Sequence, residues 1–214
     1  MQVLNKIKEF IVKHVLDDDN NNRNNNDRRN SYYKYVQQIS EIPDPIEENV
    51  EQLVEYEGRE SLKILVLSDS HGWNSAMLEA IELESPDMIL HLGDKSEDCE
   101  CIVEQYPQIP IRNVKGNSDL LRGGLDRDEF VLEGKRFFMT HGHLYGVKMG
   151  KGGLINTGLN KGIDILLFGH THTPFFDEID GMTILNPGCI GLNQKYYAII
   201  KLNNCAFSYE LKNL

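Results

Sequence analysis

From residue 61 onward the chain is built of short apolar runs, and five of them stop at a glycine set beside aspartate, asparagine or histidine. Residues 62–67 (LKILVL) run into Ser68-Asp69-Ser70-His71-Gly72, and residues 88–92 into Gly93-Asp94. Residues 109–114 run into Lys115-Gly116-Asn117-Ser118-Asp119, residues 136–140 into His141-Gly142-His143, and residues 163–168 into Gly169-His170-Thr171-His172. Apolar runs this short, bounded by turn residues, read as buried strands. Stretches 74–84 and 96–105 between the first three are long enough for helices, which gives the βαβαβ rhythm of a right-handed parallel sheet.

Further along, residues 129–132 and 136–140 flank Glu133-Gly134-Lys135, a hairpin signal, and residues 150–161 read as a glycine-interrupted helix. Residues 182–185, 196–202 and 206–211 supply more strands, the last two joined at Asn203-Asn204. This order predicts an α/β fold of two sheets packed as a sandwich with outer helices, rather than one doubly wound sheet. Five strands each deliver a polar residue at the carboxyl end, and in an open α/β sheet those ends share one edge, where ligands bind.

The residues so delivered are Asp69, His71, Asp94, Asn117, His141, His170 and His172. Imidazoles, carboxylates and one carboxamide suit Mn, Fe, Zn, Co or Ni better than Ca or Mg, which favour oxygen alone. Glycine close to each of them lets the backbone turn and approach an ion or phosphate. Singly, Asp-x-His, Gly-Asp, Gly-Asn and a His pair are ordinary. Together, in this order at strand ends, they predict a metal centre.

Residues 1–60 carry no visible chemistry. Apolar residues at 3, 4, 7, 10, 11 and 15 recur at helical spacing, residues 17–30 are Asn-rich with no apolar position, and two further short helices are expected around 32–39 and 46–54. We expect a helical N-terminal extension over 1–60 with a flexible linker at 17–30, and a single catalytic domain over 61–214. Lysines and a glutamate interrupt the apolar residues of the first turns, so no secretory signal is expected, and no apolar run approaches the roughly 20 residues of a membrane span. The expected compartment is the cytoplasm. The net charge of -11 is shared by both parts of the chain and argues against a nucleic-acid partner. Cys99, Cys101, Cys189 and Cys205 form no Cys-x-x-Cys pair and are expected as reduced thiols.

In order, D-x-H, G-D, G-N, H-x-H and G-H-x-H resemble the calcineurin-like metallophosphoesterase signature, and VKGNSD, THGHLYGVK, LLFGHTHTP and LNPGCIGL resemble its small bacterial and archaeal phosphodiesterase branch. The resemblance spans about residues 61–212. It implies a two-sheet metallophosphoesterase sandwich and two divalent ions, Mn first and Fe, Zn, Ni or Co as alternatives. One ion would sit on Asp69, His71, Asp94 and His172, the other on Asp94, Asn117, His141 and His170. It also implies hydrolysis of a small phosphodiester by a hydroxide held between the ions.

Many relatives have histidine directly after the metal-binding asparagine; here that position is Ser118, too weak an acid to protonate a leaving group. His143 is the candidate replacement, alongside a reading as a hydrogen-bond partner of a ligand. Phosphomonoester hydrolysis and a retromer-like scaffold on the same fold are the alternatives, and a homo-oligomer is open. Among the remaining residues, His14 is expected on an amphipathic helix and His91 as a satisfied core residue. Trp73 is read as loop packing ahead of a wall beside the metal site, Asp119 as a brace for its loop or for a ligand histidine, and Lys148 as a phosphate contact on which the expected site does not rest.

Overall fold

A computed structural model describes residues 61–119, 124–203 and 206–214. The expected N-terminal helices, the 17–30 linker, His14, Asn204 and Cys205 lie outside the described residues. Ten strands and three α-helices are described: β1 Leu62–Leu67, α1 Asn74–Glu84, β2 Met88–His91, α2 Cys99–Gln105, β3 Ile111–Asn113, β4 Arg127–Leu132, β5 Lys135–Thr140, α3 Gly152–Lys161, β6 Ile165–Phe168, β7 Phe175–Ile179, β8 Met182–Asn186, β9 Tyr196–Asn203 and β10 Ala206–Asn213.

They form two five-stranded mixed sheets, ordered β10-β9-β1-β2-β3 and β4-β5-β6-β8-β7. In the first, β1, β2 and β3 are parallel and β9 runs antiparallel to β1. In the second, β5, β6 and β8 are parallel, with β4 and β7 antiparallel at the edges.

The continuous apolar strands follow from burial on both faces. On β1, Leu62, Ile64 and Val66 face a core shared with Phe137 and Met139 of β5 and Ile165 and Leu167 of β6. The alternate Leu65 and Leu67 meet Ala76, Met77, Ala80 and Ile81 of α1 and Ile102 of α2. Phe138, Leu166 and Phe168 of the second sheet turn the other way, towards Leu154 of α3. The result is four layers, helices outside and sheets within, as expected from the sequence.

Several boundaries moved. The third strand shrinks to Ile111–Asn113, and stretch 96–105 divides into a 3₁₀ turn at Ser96–Asp98 followed by α2. The hairpin pairs Leu132 with Lys135, so its turn is Glu133-Gly134, both left-handed at φ 49° and 72°, which matches the twist of the flanking strands. Strand β7 was not expected; it joins β8 through Asp180-Gly181, a turn of the same kind at φ 50° and 80°. The shared edge also needs correction. The candidate ligands come from β1, β2 and β3 of one sheet and β5 and β6 of the other, so they meet at one end of the sandwich rather than along one sheet edge. Among the described residues no helix is long and apolar enough to cross a membrane.

Candidate metal centre

Register brings the loops together. Because β1 and β2 pair Leu67 with His91, the following residues run side by side and Asp69 N–H donates to the Gly93 carbonyl at 2.9 Å. In the second sheet Thr140 pairs with Phe168, and Gly169 N–H donates to the His141 carbonyl at 3.1 Å. The sheets close on each other where His170 N–H donates to Asp69 Oδ2 at 3.1 Å. Gly169 permits this contact, since a Cβ there would collide with the Ser68 hydroxyl.

Five of the seven candidates adopt left-handed backbone: Asp69 (φ 55°), His71 (48°), Asp94 (60°), His170 (67°) and His172 (58°). Asp and His are enriched among the few non-glycine residues found there, and such strain gathers at functional sites. Its effect is to turn successive side chains inward from loops that would otherwise diverge.

Asp69, His71, Asp94 and His172 bring one donor atom each within 4.8 Å of one another, and so do Asp94, His141 and His170. Asp94 belongs to both groups. His71 Nε2 stands 3.4 Å from His172 Nε2, and His141 Nε2 stands 3.1 Å from His170 Nδ1. Asn117 Oδ1 lies 3.2 Å from His141 Nε2, adding the carboxamide to the second group. His141 Nδ1 lies 2.7 Å from the Leu92 carbonyl, which fixes a proton there and leaves the Nε2 lone pair facing the centre.

Asp69 Oδ1 shows what this centre can hold. It is buried and has no hydrogen-bond partner, yet Nε2 of His172, His71 and His141 lie 3.1, 3.9 and 4.0 Å away. The contact with His172 has ion-pair distance without hydrogen-bond alignment. A buried carboxylate oxygen set among imidazole nitrogens with no aligned donor is costly unless a cation joins them. The mixed N/O donor set fits a divalent transition metal. Burial, followed by the His141 ring, drives the His170 imidazole down to about 4, so it remains neutral with a lone pair to share. Burial alone would raise the Asp69 carboxyl, but His172, His141 and Ser68 together hold it below its ordinary value.

The supporting residues divide into those foreseen and those missed. Asp119 braces its own loop as expected, accepting the Gly116 N–H (2.7 Å), and also ties that loop to the one after β2, accepting N–H groups of Asp94 (3.0 Å), Lys95 (2.9 Å) and Ser96 (3.1 Å). His91 is fully buried, 3.2 Å from the Ser70 hydroxyl, and burial pushes it down to about 4. Three others were missed. Ser68 donates to Asp69 Oδ2 at 2.5 Å, Asp98 accepts from Gly72 N–H and the Ser70 hydroxyl, and Asn186 donates to the Gly169 carbonyl. The only signals for Ser68 and Asn186 were the strings Ser-Asp-Ser and Asn-Pro-Gly, and Asp98 had none.

His143 lies at the rim, its ring 5.4 Å from that of His141 and 6.2 Å from that of His170. Its Nδ1 is buried without a hydrogen-bond partner, and burial lowers its pKa. Trp73 is 36% exposed, closer to an open flank than to packed core. Cys99 and Cys189 are buried, Cys101 partly so, and all three are free thiols.

The profile of the calcineurin-like phosphoesterase superfamily domain matches residues 62–204. A probable metallophosphoesterase of Bacillus subtilis is 30% identical over 154 residues, covering 68% of this chain and 87% of the relative. A phosphodiesterase of Methanocaldococcus jannaschii is 26% identical over 151 residues, covering 61% and 86%. Among solved structures, a predicted phosphoesterase from Streptococcus pneumoniae superposes with a TM-score of 0.60 at 26% identity, over 73% of this chain and 91% of that one. Vacuolar protein sorting 29 of Cryptosporidium parvum shares the fold, with a TM-score of 0.58 at 15% identity over 72% and 98%.

Proposed function

Because the chain belongs to the calcineurin-like phosphoesterase superfamily, and is thus a phosphate-ester hydrolase, we propose that it cleaves small phosphodiesters with two divalent ions. Asp69, His71, Asp94 and His172 would hold one, and Asp94, Asn117, His141 and His170 the other, in a domain that begins near residue 61 after an N-terminal extension. The unpartnered Asp69 Oδ1 amid three imidazole nitrogens is the observation that carries this reading. Bound there, two such ions would act as Lewis acids on the phosphate oxygens and make water a nucleophile near neutral pH.

The protein's part is to aim and to neutralise. Asp94, between both groups, is fixed by Ser118 N–H, which donates to Oδ1 at 2.9 Å. Two such ions would bring four positive charges to the two carboxylates Asp69 and Asp94. With an attacking hydroxide counted, one positive charge remains, which suits a singly charged diester better than a doubly charged monoester. Ser118 cannot protonate the departing oxygen, so we assign that task to His143, at the rim beside His141 and His170, with stabilisation of that oxygen by metal or water as the alternative. The name carried by the M. jannaschii relative agrees with a diester. We take Mn as the ion and the cytoplasm as the compartment, in keeping with three free thiols. Convergence of the full candidate set favours catalysis over a scaffold.

The test is hydrolysis of bis(p-nitrophenyl) phosphate and of p-nitrophenyl phosphate by metal-stripped protein, with and without Mn. Turnover of the diester that needs metal and disappears in both Asn117→Ala and His141→Ala is expected. Turnover that survives either substitution, or a preference for the monoester, would overturn the assignment.

A further inference from the structure

Beside the metal centre lies a second cleft of about 710 Å³, with His172 in its wall. Thr171, Thr173, Asn193, Gln194 and Tyr196 line it, and apart from His172 none of its lining side chains is charged or titrates near neutrality. This is unusual on a chain of net charge -11. It provides hydroxyls, carboxamides and a phenol, while the rings of Pro174 and the half-exposed Tyr196 add apolar surface.

The cleft is held in shape by its own bonds. Asn186 donates to the Thr171 hydroxyl at 3.0 Å, Tyr196 N–H to the Cys189 carbonyl at 2.9 Å, and Asn213 Nδ2 to the Gln194 carbonyl. Leu192, Asn193 and Lys195 all sit in left-handed backbone, at φ 53°, 61° and 56°. That conformation costs free energy at each non-glycine residue, and it forms the loop that walls the cleft. The same loop is anchored to the metal centre, because Gly191 N–H donates to the Asp69 carbonyl and a Cβ on Gly191 would collide with the Ser70 carbonyl.

We propose that this cleft binds one ester arm of the substrate, and that the arm is uncharged and bears several hydroxyl groups, as the sugar of a nucleoside or a glycerol does. The inference rests on the phosphodiesterase reading, since only a phosphate held at His172 would carry its arm into this wall. Neutral donors and acceptors match hydroxyls and leave no ion pair for a charged headgroup. The Thr171 and Thr173 hydroxyls already donate to each other's carbonyls, so the groups an alkyl arm would leave unpaired are the Asn193 and Gln194 carboxamides and the Tyr196 phenol, and the site discriminates against it. The CH faces of a sugar meet the Tyr196 and Pro174 rings while its hydroxyls meet the amides.

The test compares kcat/KM for three p-nitrophenyl phosphodiesters that differ only in the second arm: ethyl, glyceryl, and uridine through its 5′ oxygen. Wild type is expected to prefer a hydroxylated arm over ethyl, and the preferred one names the source. Asn193→Gly removes a carboxamide while relaxing its left-handed backbone, and Tyr196→Phe removes one hydroxyl. Each should lower that preference about three- to tenfold, the worth of one hydrogen bond, through KM more than kcat. Equal rates on all three arms, or a preference untouched by both variants, would overturn the proposal. If no diester is turned over, the phosphodiesterase reading fails separately. Saturation-transfer NMR with uridine and with glycerol then decides the cleft: contact through sugar or glycerol protons that weakens in Asn193→Gly supports it, and no contact refutes it.

Discussion

Asp119→Asn isolates the brace beneath the metal centre. The wild-type carboxylate is 4% exposed and takes two N–H groups on each oxygen: Asp94 and Gly116 on Oδ2, Lys95 and Ser96 on Oδ1. An asparagine is nearly the same shape but can accept on one side only, because its NH₂ confronts the other pair donor to donor. The oxygen will turn to the buried Asp94–Gly116 pair, leaving the rim N–H groups of Lys95 and Ser96 to water. Two charge-assisted bonds at about 1.5–3 kcal/mol each are lost, and hydration at the rim returns part of that, so a net loss of about 2–3 kcal/mol is expected. For a chain of this length that lowers Tm by about 4–12 °C. Urea unfolding of the metal-stripped proteins, fitted to two states, measures it. Metal titration should also show weaker binding, since the same N–H groups hold the Asp94 and Asn117 loops in place. A stability change below about 0.5 kcal/mol, the range of ordinary surface substitutions, would refute the reasoning.

Three more expectations rest on separate features. Gly116→Ala places a Cβ on the Asp94 carboxylate and should displace it, reducing bound Mn below two ions per chain by elemental analysis; two ions at unchanged affinity would contradict the packing argument. His143→Gln should lower diester turnover while metal content holds, and unchanged turnover would remove His143 from the reaction. Glu84, far along α1 from the centre, is buried; burial alone would raise its carboxyl, but bonds from Lys212, Tyr197 and Lys63 hold it below its ordinary 4.5. Its contribution is therefore complete above pH 4.5 and lost as pH falls through its lowered value. The stability gap between wild type and Glu84→Gln, measured by urea melts at pH 6 and pH 3, should shrink at the lower pH, and a constant gap would sink the idea.

The strand ends were legible because each combines two strong local signals: an apolar run too short for a helix, and a polar residue beside glycine. Asp69, Asp94, His141 and His170 could be chosen that way without knowing how the sheets pair. Sheet membership could not, since β2 (MILH) and β6 (ILLF) are both buried on two faces and look alike. Only the register across distant segments separates them. Strand β7 escaped because its FFDEI alternates weakly and none of its residues is fully buried, although Asp180-Gly181 marked the hairpin. Ser68, Asp98 and Asn186 acquire their roles only when three loops meet, and no local pattern distinguishes them from ordinary turn residues. Asp119 and His91 were readable because a buried polar residue next to a candidate ligand must find a partner there.

His71 and His172, whose ring nitrogens approach within 3.4 Å, are 101 positions apart in the chain. During synthesis the first three loops leave the ribosome long before the last histidine is translated. A nascent chain that holds β1 to β3 offers an incomplete set of donors, and at about 5–20 residues per second the remainder takes several seconds more. Metal loading of this arrangement thus waits for residues 170–172 to leave the ribosome and for the second sheet to dock. A ribosome-stalled chain ending before residue 170 should release metal to a weak chelator, whereas the finished chain retains it.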